Sequence, residues 1–126
     1  MPITTPEQLV LAQRVSAHVR AHPEQHAQGD WYQENNCGTT ACVAGWTAIL
    51  DGAELSKDFY DNGFVEANRV RNANGTSRLI ANYAQEALGL TRDEAKNLFY
   101  SRERAALTYL DRLIAKGEDW LAGVGR

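Results

Sequence analysis

The chain is poor in the residues that would place it in a specialised class. Two cysteines in 126 residues are too few for the disulfide framework of a small secreted scaffold, so a reducing cytoplasm is the expected compartment. No apolar run approaches the roughly 18 residues that span a bilayer, and Met1 to Glu7 lacks the basic and apolar regions of a signal peptide. No membrane partner is therefore expected. Also missing are a GxxxxGK phosphate loop and a GxGxxG turn, and no repeat or low-complexity run is found. What remains is 44% hydrophobic, enough for one self-supporting core in a single domain over residues 1–126.

A large charge of one sign is missing too. The formal net charge of −3 disfavours indiscriminate nucleic-acid binding. It conceals an uneven distribution, however. Residues 1–66 carry nine acidic side chains against three basic, whereas residues 67–126 carry ten basic against seven acidic. Any basic surface is expected from the second half.

Helix signals dominate. Thr5-Pro6-Glu7-Gln8 is a capping box with proline at the first helical position, and Leu11, Val15 and Val19 follow on one stripe until Pro23 forces an end near Ala21. Residues 23–38 read as a loop, with Trp31 and Tyr32 folded back onto the core. A second helix is expected from a Thr39 or Thr40 cap to Leu50 or Asp51, with Cys42, Val43, Trp46, Ile49 and Leu50 facing inward. Gly45 inside it costs about 1 kcal/mol of helix propensity, which points to a backbone or ring packed close against the helix. Thr76 or Ser77 is expected to cap a helix ending at Gly89. Thr91-Arg92-Asp93-Glu94 opens another as a second capping box, and Ser101 caps the last, which runs to Gly117. Between them, Asp61-Asn62-Gly63 and Asn74-Gly75 are turn signals. The expected fold is mainly α, about five helices, with a small β-hairpin or an ordered loop around 57–72.

Three chemistries compete for Asn36-Cys37-Gly38-Thr39-Thr40-Ala41-Cys42. Cys37 near a helix start has the environment of an activated thiolate, with His18 or His22 as the base. Alternatively Cys37 and Cys42 join His22 and His26, or His18, in a zinc set, although the cysteine spacing is looser than CxxC and Pro23 interrupts the histidines. A Cys37–Cys42 disulfide closes a demanding loop and is disfavoured in the cytoplasm, leaving Cys42 as a buried thiol. Nucleic-acid binding is a separate alternative. Helices joined by Gly89-Leu90-Thr91 and followed by a helix carrying Arg102, Arg104, Arg112 and Lys116 resemble a helix-turn-helix, with Arg69, Arg71 and Arg78 as phosphate contacts.

The strings His22-Pro23, Trp31, Cys37-Gly38-Thr39 with Ala41-Cys42-Val43-Ala44-Gly45-Trp46, and Leu88-Gly89-Leu90-Thr91 with Glu94-Ala95 and Leu98-Phe99-Tyr100 resemble a group of small actinobacterial and actinobacteriophage proteins sharing a CGTxxCxAGW motif. The resemblance covers about half the chain and transfers no catalytic residue. It implies a small cytosolic helical protein, such as a phage accessory factor.

With no convincing catalytic set, the primary expectation is a non-enzymatic protein without a cofactor, monomeric or weakly dimeric, that binds a host or cellular protein. Tyr32, Phe59, Tyr60 and Phe64 are the expected anchors, because loop aromatics supply contact area at small entropic cost. Nucleic-acid binding through the basic second half, and a thiol or zinc site around Cys37, stand as the alternatives.

Overall fold

Thr5 starts the first helix as its side chain predicts. The Gln8 amide donates to Thr5 Oγ1 at 3.2 Å and the Thr5 amide to Gln8 Oε1 at 3.1 Å, and helix α1 runs Pro6–Ala21. The computed structural model describes residues 3–35 and 38–123. After α1 come a 3₁₀ turn, Pro23–Gln25, and strands β1 (Gln33–Asn35) and β2 (Gly38–Thr40). Helix α2 (Val43–Leu50) leads into strands β3 (Glu54–Phe59), β4 (Val65–Arg71) and β5 (Ser77–Leu79). Helices α3 (Ile80–Leu88), α4 (Arg92–Phe99) and α5 (Glu103–Leu121) complete the described chain.

The mainly-α expectation is overturned by a five-stranded antiparallel sheet. The five helices are present, but residues 54–79 form much more than a small hairpin. β4 lies at the centre, with β3 along one side. β1, at Val65 and Glu66, and β5, at Arg69 to Arg71, share its other side, and β2 lies outside β1. Gly63 and Gly75 take left-handed φ of 82° and 86° in the two turns that join β3, β4 and β5.

Three helix boundaries move, the first two because strands claim the expected cap residues. Thr39 and Thr40 do not cap α2. They pair with Glu34 and Gln33 as β2, where β-branched side chains are favoured, and Cys42 becomes the N-cap residue. Ser77 does not cap α3 either; it pairs with Arg71 in β5, and Leu79 takes the N-cap position. Helix α5 starts after Arg102, not Ser101, and continues past Gly117 to Leu121. Gly117 is buried there because Ile3 lies against it: a Cβ would fall 2.9 Å from the Ile3 Cβ. Thr91 caps α4 as expected, with reciprocal bonds to Glu94 of 3.2 and 2.8 Å.

The core has one centre. Val43 to Ala48 of α2 are all buried, so the first six residues of this helix are enclosed, and only its end at Ile49 and Leu50 is half-buried. α1 supplies Leu11, Ala12, Val15 and Val19, α3 supplies Ile80, Ala84 and Leu88, and α5 supplies Ala106, Leu110 and Leu113. The sheet contributes Val65, Ala67 and Val70 of β4, so its inner face covers the helices. Its outer face and the β3–β4 turn are left to solvent.

Candidate functional site

Cross-strand pairing decides which side chains of the long hairpin share a face. Lys57 pairs with Ala67 and Phe59 with Val65, both opposite buried residues, so Lys57 and Phe59 belong to the inner face. Asp58 pairs with Glu66 and belongs to the outer one. A bulge between Ser56 and Lys57 shifts the register, and Leu55 still lines the inner side, opposite Val70. The inner face thus runs from Leu55 through Lys57 to Phe59. At its end the sheet outruns the helices, and Phe59 is left 76% exposed.

Beneath that row is an open groove of about 610 Å³ between α2 and the sheet. Trp46 and Ile49 of α2, Tyr32, Thr39, Leu55 and Lys57 line it. The Trp46 indole N–H is already committed, donating to the Gln25 carbonyl at 2.9 Å, and its ring lies against His18 with centroids 4.3 Å apart. The groove floor is therefore fixed. Its polar wall is a three-residue network: the Tyr32 hydroxyl donates to the Glu34 carboxylate, and Lys57 Nζ stands 3.0 Å from the same carboxylate and over the Tyr32 ring. Burial, then the bond to Glu34, pushes the Tyr32 phenol up from its usual pKa. The Tyr32 hydroxyl and Lys57 hold Glu34 below the usual carboxylate range. Glu34 in turn holds Lys57 protonated to higher pH than usual.

The structure separates the four aromatics expected as anchors. Tyr32 is buried and belongs to the groove wall. Tyr60 and Phe64 form the turn itself, rings 5.6 Å apart, with the Tyr60 hydroxyl donating to Glu66 Oε1 at 2.6 Å. Phe59 alone projects without a ring partner among the described residues. The surrounding charge is acidic: Asp58, Asp61 and Glu66 flank the turn, and the nearby Lys57 is neutralised by Glu34. Sequence reasoning missed Glu34, Thr39, Leu55 and Lys57, because four separate segments meet at this groove.

The residues of the alternative sites are placed as follows. Asn36 and Cys37 lie outside the described residues, so the thiol pairing and the zinc set that require Cys37 fall there too. His18 faces Gln25 Oε1 at 2.9 Å, His22 lies 3.5 Å from Glu24, and His26 faces Gln28 Oε1 at 2.9 Å. Among the described residues no cluster of three His, Cys, Asp or Glu is arranged to hold a metal ion. Cys42 is sealed in the core, and burial pushes its thiol up to about 11. In a Cys37→Ser variant, Cys42 is therefore expected to label only as fast as the fold opens, in a thiol-reagent time course with and without denaturant. Immediate labelling in native buffer would contradict the sealed position.

The arginines of the nucleic-acid alternative divide into two groups. Arg69 donates to Ser77, Arg71 pairs with Glu54 at 3.3 Å, and Arg78 pairs with Glu86 at 2.7 Å and lies over Tyr83, all around β4 and β5. Arg102 and Arg104 stand apart from them at the start of α5. No helix among the described residues is long and apolar enough to cross a membrane. The chain matches no family model, no curated protein and no solved structure, so its function has to be argued from these surfaces.

Proposed function

We propose that the protein is a non-enzymatic binding module that docks on another protein through the β3–β4 hairpin, with Phe59 as the anchor. The observation that carries this reading is the 76% exposure of Phe59, at the end of a sheet face whose β4 residues Val65, Ala67 and Val70 are buried. Leaving a phenylalanine in water forgoes roughly 2 kcal/mol of burial, which a partner pocket recovers. The acidic rim of Asp58, Asp61 and Glu66 selects a partner whose pocket is bordered by lysine or arginine. The charged residues of the β3 edge disfavour strand addition, so docking is by side chains. The likeness to actinobacterial and phage proteins supports an accessory factor whose target is a host or cellular protein.

The test uses a photo-crosslinking residue at Asn62, in the turn, to capture the partner from host lysate, followed by titration of the purified pair. Phe59→Ala is expected to weaken binding about 30-fold or more, yet to change folding stability by no more than about 0.5 kcal/mol. Asp58→Lys with Asp61→Lys is expected to slow association, most strongly at low salt. A partner retained with full affinity by both variants would remove the hairpin from the interface.

A further inference from the structure

We infer a second binding site, remote in sequence from the hairpin: a cationic groove along α5 that takes the phosphate backbone of a single-stranded nucleic acid. Arg102, Arg104 and Arg112 line one open groove with Thr108 and Tyr109, and none of its lining side chains is a carboxylate. Arg104, Thr108 and Arg112 follow at four-residue spacing on one face of the helix, so the two arginines sit about 12 Å apart along the axis. That span suits about two or three consecutive phosphates.

The charge in this groove is only partly compensated: two acids of α5 serve other partners, while Glu103 still lies close enough to Arg102 to interact with its charge. Glu103 accepts from the Gln28 backbone amide at 3.2 Å, and Asp111 pairs with Arg20 at 2.6 Å. Arg20, Lys57, Arg71 and Arg78 are all paired with carboxylates. Arg102, Arg104 and Arg112 form no ion pair among the described residues. The ligand this selects is a polyanion. Two aromatics narrow it to an unpaired strand: Tyr109, half-buried in the groove wall, and Tyr100, 70% exposed just outside the groove with its ring edge-on to Trp31. Aromatic faces stack on unpaired bases and find none to stack on in a closed duplex. The overall net charge of −3 opposes binding elsewhere on the surface and confines it to this face.

The experiment is fluorescence anisotropy of the whole protein with a labelled oligothymidine of about 16 nucleotides, and with a duplex and heparin as competitors. Three phosphate contacts predict roughly a 20-fold loss of affinity between about 50 and 200 mM salt. Arg104→Ala and Arg112→Ala should each weaken binding and flatten that salt dependence. Tyr100→Ala should weaken it at both salts without changing the slope. Arg14→Ala, an exposed arginine on α1, and Phe59→Ala on the hairpin should leave it unchanged, which separates this site from the docking surface. Melting curves of each variant verify the fold. The inference is overturned by absence of binding at low salt, by an Arg14→Ala loss equal to that of Arg104→Ala, or by duplex or heparin binding that ignores Tyr100.

Discussion

Gly45→Ala is expected to cost about 4 kcal/mol or more and to lower the melting temperature by roughly 15 °C, although alanine is the better helix former by about 1 kcal/mol. The reason is position. A Cβ at residue 45 would lie 2.0 Å from the Trp31 carbonyl oxygen and 2.8 Å from the Ala41 Cβ. Neither is the free end of a flexible chain. The Trp31 carbonyl belongs to a segment bound on both sides, since the Cys42 amide donates to Asp30 O at 2.7 Å and the Ala67 amide to Tyr32 O at 3.1 Å. To admit one methyl group, residues 30–32 must move away from α2, and Tyr32 and the groove wall move with them. Overpacking of an ordinary core site costs about 1–3 kcal/mol because side chains can turn aside; here a backbone must shift. Urea unfolding of Gly45→Ala beside Gly52→Ala separates the two kinds of glycine. Gly52 has a φ of 85° and open space around it, so its loss is expected near 1 kcal/mol. Equal losses at the two positions would show that the 30–32 segment yields, and that α2 is not clamped.

The close approach at Gly45 was legible in the sequence, because a glycine amid Val43, Ala44 and Trp46 has no propensity reason to be there. The capping boxes at Thr5 and Thr91 were equally legible, being local: each is complete within four residues. The sheet was not. β1, β2 and β5 are three residues each, too short to show an alternation, and the pairing that joins β1 and β2 to the rest, Gln33 with Glu66, lies far along the chain. In β4 the buried residues are Val65, Ala67 and Val70, since the extra residue Asn68 at the bulge breaks the two-residue period that would have announced a strand. Asn74-Gly75 was recognised as a turn, yet whether Ser77 then pairs with Arg71 or caps a helix depends on the presence of β4. For the site, Phe59 and Tyr60 stood out as aromatics beside turn residues. Tyr32 looked the same in sequence and is buried, because only the paired strands decide which aromatic is covered.

Gln28 is the residue whose importance the sequence hid most completely, within a stretch that reads as a loop. Its side-chain amide donates to the carbonyls of Leu98 and Phe99, at 3.2 and 3.1 Å, and its Oε1 accepts from the Val43 amide at 2.9 Å. Those are groups that helices leave without an internal partner: the last carbonyls of α4 and the first amide of α2. Its backbone amide, donating to Glu103, ties in the start of α5 as well. One residue thus joins three helix ends that no sheet connects, two through its side chain and one through its backbone. Gln28→Leu keeps the bulk and removes all four side-chain bonds, the one to His26 Nε2 included, leaving two carbonyl acceptors and the Val43 amide half-shielded from water. Unsatisfied groups of this kind cost about 1–3 kcal/mol each when fully buried, and partial access by water reduces the expected total to about 3 kcal/mol, roughly 10 °C in melting temperature. Gln28→Glu separates the contributions. It keeps an acceptor for the Val43 amide but turns a second oxygen towards two carbonyls, so its loss is expected to be at least as large. Lowering the pH through the carboxyl's titration restores a donor and should narrow the gap to wild type. Thermal melts of both variants across that range supply the test. A Gln28→Leu loss below about 1 kcal/mol would mean that water satisfies the helix ends unaided. The expected loss would instead loosen the α4–α5 corner, and with it the positions of Arg102 and Arg104, without touching Phe59.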